Sequence, residues 1–200
     1  MTWIFVRLIA AVCAVLLVSG CGGGQNSGEE SAGSPSPESP VITGNPAGYN
    51  SADITFATLM IKHHQQAIEL ADLTPQRTDN QALLKLANTI SAEQQPEIDT
   101  MKALLVQWGA DPTMGDHGMH GGSAMQGMVD DATMTKLKSL NGPEFDTLWL
   151  QSMIAHHQGA IEMAKTEIAK GQSADLTTMA KSIVTSQQAE IDQMKQMLGG

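Results

Sequence analysis

The chain has 200 residues, of which 42% are apolar, and a formal net charge of −10 at pH 7. This acidic balance argues against a nucleic-acid partner and against electrostatic adhesion to anionic lipid. About 150 residues follow an N-terminal stretch of low complexity, which is enough for one domain with a substantial apolar core.

Residues 1–20 have the pattern of a secretory signal. Arg7 precedes an apolar run over 8–18 that is too short to span a membrane. Val18-Ser19-Gly20-Cys21 resembles a bacterial lipobox, which implies cleavage before Cys21 and a lipid on its sulfur. We therefore expect an exported lipoprotein, anchored to the membrane and facing the extracytoplasmic side. An ordinary signal peptide with an incidental cysteine is the alternative.

Residues 21–50 form a linker that is rich in Gly, Ser and Pro, including the run SAGSPSPESP. Such a composition buries too little apolar surface to offset the entropy of ordering, so we predict a flexible tether. Cys13 is lost with the signal, and Cys21 alone cannot form an internal disulfide.

Residues 51–200 contain an internal duplication. MIKHHQQAIELA (60–71) and MIAHHQGAIEMA (153–164) share nine of twelve positions at an offset of 93 residues. The same offset relates Gln94-x-x-Glu97 to Gln187-x-x-Glu190. A repeat of this length predicts two equivalent supersecondary units.

Helical periodicity runs through both copies. We predict a first helix that begins near Asn50 and a second over about 78–108, interrupted at Pro96. A short helix over 131–140 precedes a third over 143–170, which ends at Gly171 in a left-handed cap, and a fourth that reaches about residue 198. Strand alternation is not sustained in any window, so the pattern predicts an all-α four-helix bundle built from two hairpins.

Histidine and methionine recur in the middle of the first and third helices. Six residues face or border the predicted core: Met60, His63, His64, Met153, His156 and His157. Adjacent helical residues diverge by 100°, so His63 and His64 are not expected to share one metal, whereas Met60 and His64 can reach a common point. Alternatively, the histidines are packed core residues that bond Gln94, Gln187, Glu97 or Glu190.

A loop at 111–130 separates the repeats and forms a second candidate site. Thioether and imidazole together suit Cu(I), and imidazole also accepts Cu(II) or Zn(II), so we expect copper, with zinc or iron as alternatives. An inconsequential loop is the competing interpretation. The candidate ligands in this loop are Met114, His117, Met119, His120, Met125 and Met128.

Motifs of catalysis are missing from the sequence. No Glu-x-x-His, P-loop, dinucleotide fingerprint, zincin motif or G-x-S-x-G occurs, so no catalytic residue is predicted.

The repeated HHQ(Q/G)AIE(L/M)A, followed by Q-x-x-E-I-x-x-M, resembles the domain of unknown function 305 family over roughly residues 50–198. The resemblance implies a ferritin-like helical bundle and, for exported members, a link to copper binding and tolerance. It implicates His63, His64, His156 and His157, beside Met60 and Met153.

Together these features predict an extracytoplasmic lipoprotein that binds and sequesters copper. The predicted partners are metal ions and, through Cys21, the membrane. Two other classes remain open, a ferritin-like metal-dependent oxidoreductase and a metal-free interaction module of the cell envelope.

Overall fold

The computed structural model describes residues 48–111 and 125–199. The long helices are α1 (Ser51–Asp72), α2 (Gln81–Gln107), α4 (Gly142–Lys170) and α5 (Ala174–Gly199), with a short α3 (Asp131–Ser139) and a 3-10 turn at Thr74–Gln76. Neither described range contains a strand, which confirms the predicted all-α fold. None of the helices in these ranges has the length and apolar character needed to cross a bilayer.

Several predicted features lie outside the described residues. They are the signal at 1–20, the lipidation site Cys21, the linker up to residue 47, and the loop residues Met114, His117, Met119 and His120.

The start of α1 follows the predicted capping pattern. The side chain of Asn50 accepts hydrogen bonds from the backbone N–H groups of Ala52 and Asp53, at 2.7 and 3.3 Å. The Asp53 carboxylate in turn accepts from the backbone N–H of Asn50 at 2.6 Å, which completes a capping box. Further along, α2 continues without a break through Pro96.

The predicted left-handed cap at Gly171 is wrong. Gly171 has φ −68° and ψ 154°, an extended conformation open to any residue. Glycine is needed there for space, because an added Cβ would collide with the carboxyl group of Glu167. The position therefore favours glycine because of close packing, and not because of a left-handed backbone.

Two apolar clusters occupy the ends of the bundle. Phe56, Met60 and Ile98 belong to one cluster, and their repeat equivalents Trp149, Met153 and Ile191 belong to the other. Each cluster draws on all four long helices, so the 93-residue offset exchanges the two ends. This exchange is what an internal two-fold relation between the hairpins α1–α2 and α4–α5 produces.

Contacts at the starts of the helices repeat the same exchange. Asp53 in α1 accepts from the backbone N–H of Ser173, the residue before α5, at 2.8 Å. Its equivalent Asp146 in α4 accepts from the side chain of Asn80, the N-cap of α2, at 3.2 Å. Asn80 and Ser173 are themselves related by the offset, so each hairpin holds the helix start of the other.

Candidate metal centre

A layer of polar side chains, all buried except the partly exposed Glu97, separates the two apolar clusters. We call it the polar layer; its members are His63, His64, Gln94, Glu97, His156, His157, Gln187 and Glu190. Four residues of each repeat contribute, from the middles of α1, α2, α4 and α5. Both residues of the first histidine pair, His63 and His64, are completely buried.

One histidine of each pair bonds a glutamate of its own hairpin. His64 Nε2 lies 2.8 Å from Glu97 Oε2, and His157 Nε2 lies 2.8 Å from Glu190 Oε2. An ionised carboxylate can only accept, so it requires Nε2–H as the donor; in a neutral imidazole Nδ1 then keeps its lone pair. An oxygen partner of this kind orients histidine ligands in metal sites, although it equally satisfies a packed core histidine.

The other two histidines meet across the repeats. The ring centroids of His63 in α1 and His156 in α4 lie 3.7 Å apart, with the planes tilted by 40°. Burial, together with the charges of neighbouring histidines, lowers the pKa of His63 to about 3 and holds the pKa of His156 well below its usual range. Both imidazoles are therefore neutral at physiological pH, which is the form that ligates metals.

The end of the Met/His-rich loop lies on this histidine pair. The carbonyl oxygen of Gln126 accepts from His63 Nε2–H at 3.4 Å. Three residues further on, the backbone of Val129 makes two hydrogen bonds of 2.8 Å with the Gln66 amide of α1. The amide donates one of them and accepts the other. We call residues 126–129 the docked segment. It joins the two candidate sites that the sequence presented as separate.

A glycine in the repeat motif makes this docking possible. Gly159 in α4 stands where the first repeat has Gln66, and its Cα faces the docked segment. A Cβ at Gly159 would overlap the backbone of Gln126. Gln66 and Gly159 were not among the predicted site residues; their mismatch, one of three within the twelve-residue motif, was the signal that could have identified them.

The predicted thioether ligands are distributed around the layer. Met60 and Met153 are fully buried in opposite apolar clusters, next to the polar layer along α1 and α4. Met125 directly precedes the docked segment and Met128 lies in it. Both are half-buried. The common site predicted for Met60 and His64 stays a prediction.

Many polar atoms of the layer have no hydrogen-bond partner. They include Nδ1 of all four histidines, Nε2 of His156, both amide atoms of Gln94, and Oε1 of Gln187 and Glu190. Buried polar atoms are normally hydrogen-bonded, so these atoms are available to a further polar partner. Within residues 48–111 and 125–199, no three His, Cys, Asp or Glu side chains converge closely enough to hold a metal.

Comparison with a family model places this geometry in context. The model of the domain of unknown function family DUF305 matches residues 53–198. The chain belongs to the DUF305 family. The ferritin-like relation that this resemblance implied stays a prediction.

Several solved structures resemble the chain. A candidate secreted DUF305 protein from Streptomyces coelicolor is 34% identical, with a TM-score of 0.68, over 74% of this chain and 93% of that one. A DUF305 fragment from Deinococcus radiodurans is 28% identical, with a TM-score of 0.66, over 78% and 99%. CopM in its Cu(II)-bound form is 34% identical, with a TM-score of 0.63, over 72% and 94%. No curated protein matches the chain.

Proposed function

We propose that this DUF305 protein binds copper outside the cytoplasm and sequesters or buffers it there. CopM, 31–34% identical to this chain, has solved structures in Cu(I)-bound, Cu(II)-bound and silver-bound forms. The candidate secreted relative and the signal-like residues 1–20 support an extracytoplasmic location, with Cys21 as the proposed lipid anchor. Zinc and iron gain no support from these relatives.

The observation that carries the proposal is the His63–His156 pair. Two neutral, buried imidazoles from different helices lie side by side, with three of their four ring nitrogens unpartnered. Imidazole binds copper in both oxidation states, and thioether favours Cu(I). In this proposal the pair holds the tightest copper, and His64 and His157 contribute Nδ1 or orient their neighbours. Met60, Met153, Met125 and Met128 supply soft sulfur nearby.

The loop has a separate role in the proposal. Met114, His117, Met119 and His120 capture further copper, at lower affinity than the bundle. A Gly-rich loop must be ordered on binding, which costs about 1–2 kcal/mol for each backbone residue that is fixed. The helical ligands are already positioned by packing.

A competition titration with a Cu(I) chelator tests the proposal. We expect His63→Ala/His156→Ala to lose the tightest component, weakening it by roughly tenfold or more, which corresponds to about 1.4 kcal/mol. Replacing the four loop ligands 114, 117, 119 and 120 by alanine should lower the stoichiometry instead. The matched control is Gln65→Ala/Gln158→Ala, at the exposed positions beside the histidines on the same helices.

Circular dichroism melts establish that each variant is folded, and His63→Gln/His156→Gln repeats the test with polar side chains if alanine is not tolerated. Copper binding that is the same in the wild type and in both ligand variants would support the metal-free envelope module. The oxidoreductase alternative needs a carboxylate-rich metal core, and the described residues offer no cluster of that kind.

A further inference from the structure

The middle parts of α2 and α5 carry acidic charge alone. Between Lys85 and Lys102 in α2, and between Lys181 and Lys195 in α5, the chain has no basic residue. The charged residues in these two stretches are Glu93, Glu97, Asp99, Glu190 and Asp192. The helices α2 and α5 pack against each other less extensively than α1 and α4 do, so these acidic residues belong to the two helices of a more open edge of the bundle.

Three of these carboxylates form a series of decreasing exposure, from the surface of the bundle to the buried histidines. Glu93 is exposed, the side chain of Glu97 is 21% exposed, and that of Glu190 is 10% exposed. Glu93 and Glu97 are one helical turn apart and so lie on one face of α2. Glu97 and Glu190 each contact a completely buried histidine at 2.8 Å. We call this set the acidic seam.

The charges of the acidic seam act on one another. Partial burial, followed by the charges of Glu190 and Glu97, raises the pKa of Glu93, and His157 acts in the opposite direction. Glu93 of α2 is therefore near the Glu190–His157 pair of the α4–α5 hairpin, and the seam joins both hairpins.

Buried polar atoms without partners continue the path inward. Gln94 is 3% exposed, and neither its amide oxygen nor its amide nitrogen has a partner. Gln187 is 2% exposed, and its Oε1 is unpartnered; the second carboxylate oxygen of Glu190 is unpartnered too. The Glu190 oxygen belongs to the acidic seam, and Gln94 follows Glu93 directly in the chain. The atoms without partners are available to a cation or to the water that accompanies it.

We infer that the acidic seam between α2 and α5 is the entrance through which a soft monovalent cation, Cu(I) or Ag(I), reaches the histidines. The inference rests on the proposed function and adds a route to it. Carboxylate oxygen is a poor ligand for a soft cation compared with imidazole or thioether, so the seam attracts the ion and does not retain it. Like charges lining a cleft raise the local cation concentration and the rate of association.

The association rate separates this route from the binding site itself. We expect Glu93→Gln to slow Ag(I) uptake several-fold at low ionic strength in stopped-flow measurements, with the equilibrium affinity unchanged. The difference should shrink at about 1 M salt, where the screening length falls to about 3 Å. Ser186, which occupies the position of Glu93 in the second repeat, provides the converse variant: Ser186→Glu should accelerate uptake.

Glu144→Gln is the matched control, because it removes one exposed carboxylate about 18 Å along α4 from His156. Equal rates for the wild type, Glu93→Gln and Glu144→Gln, with silver still bound tightly, would overturn the entrance and leave the proposed function standing. A wild type that binds no silver would overturn both. A loss of affinity in Glu93→Gln at an unchanged rate would make Glu93 a ligand and not part of an entrance.

Discussion

His63 and His156 occupy equivalent positions of the two repeats, and their rings lie 3.7 Å apart. A residue meets its own equivalent only where a two-fold axis passes between the two copies. The internal axis of the bundle therefore runs through this histidine pair. The two His–Glu bonds of 2.8 Å, each over 33 residues, lie symmetrically about it.

This position on the axis predicts that the two histidines act together. We expect His63→Ala and His156→Ala each to weaken the tightest Cu(I) binding nearly as much as the double variant does, because one imidazole of a two-ligand site cannot hold the ion alone. Cu(I) competition titrations of the two single variants and the double variant form a cycle that measures the coupling. Independent, additive losses would show that the two histidines do not hold one ion between them.

Docking of the segment 126–129 depends on the missing side chain at Gly159. Gly159→Ala should release the segment, raising hydrogen exchange at Val129, whose N–H bonds Gln66 Oε1. The bundle should hold or gain stability, because alanine favours a helix by about 1 kcal/mol over glycine. The control is Gly199→Ala, whose Cβ would meet nothing within 4 Å. Unchanged protection at Val129 in Gly159→Ala would contradict this account.

Glu167 should make the protein less stable at alkaline pH. Burial, followed by the neighbouring Asp53 carboxylate, raises the pKa of Glu167 from 4.5 to about 8. Between these two values the folded state binds the proton and the unfolded state does not, so this contribution to stability is lost as the pH rises from 4.5 towards 8. Asp53 is itself held ionised: burial opposes ionisation, but hydrogen bonds led by those from Asn50 and Ser173 lower its pKa.

Glu167→Gln removes this titration. At pH 9 we expect the variant to be more stable than the wild type by about 1–3 kcal/mol, since each unit of pKa shift corresponds to about 1.4 kcal/mol. At pH 5 the two should differ little. Thermal melts at both values measure the effect, with Glu162→Gln, at an exposed residue five positions earlier in α4, as the control. Parallel pH profiles for the wild type and Glu167→Gln would show that Glu167 is not protonated in the fold.

Anchoring depends on the cysteine at the end of the signal-like segment. Because Cys21 follows an apolar run and Val18-Ser19-Gly20, Cys21→Ala should release the protein from membranes or block processing of the signal. Detergent partitioning and mass spectrometry of the mature protein measure this. A mature wild type without a lipid would rule the anchor out.

The sequence by itself determined the helices, the repeat and the residues of the polar layer. Periodicity of 3.6 and the offset of 93 depend on local order alone, and they suffice to place His64 and Gln94 in the interior, with Glu97 at its margin. The cap at Asn50 was predicted on the same local grounds. The all-α fold follows from these features because each helix must bury its apolar stripe against another.

Only the tertiary structure decided which of these residues meet. The periodicity of one helix does not specify its rotation or register against a neighbour, so it could not show that His63 faces His156 while His64 faces Glu97. The docked segment could not be predicted from periodicity either, because its contacts with Gln66 and Gly159 join residues that are distant in the chain. Packing selected these contacts: the two-fold arrangement that buries both apolar clusters also brings the repeated histidines together on its axis.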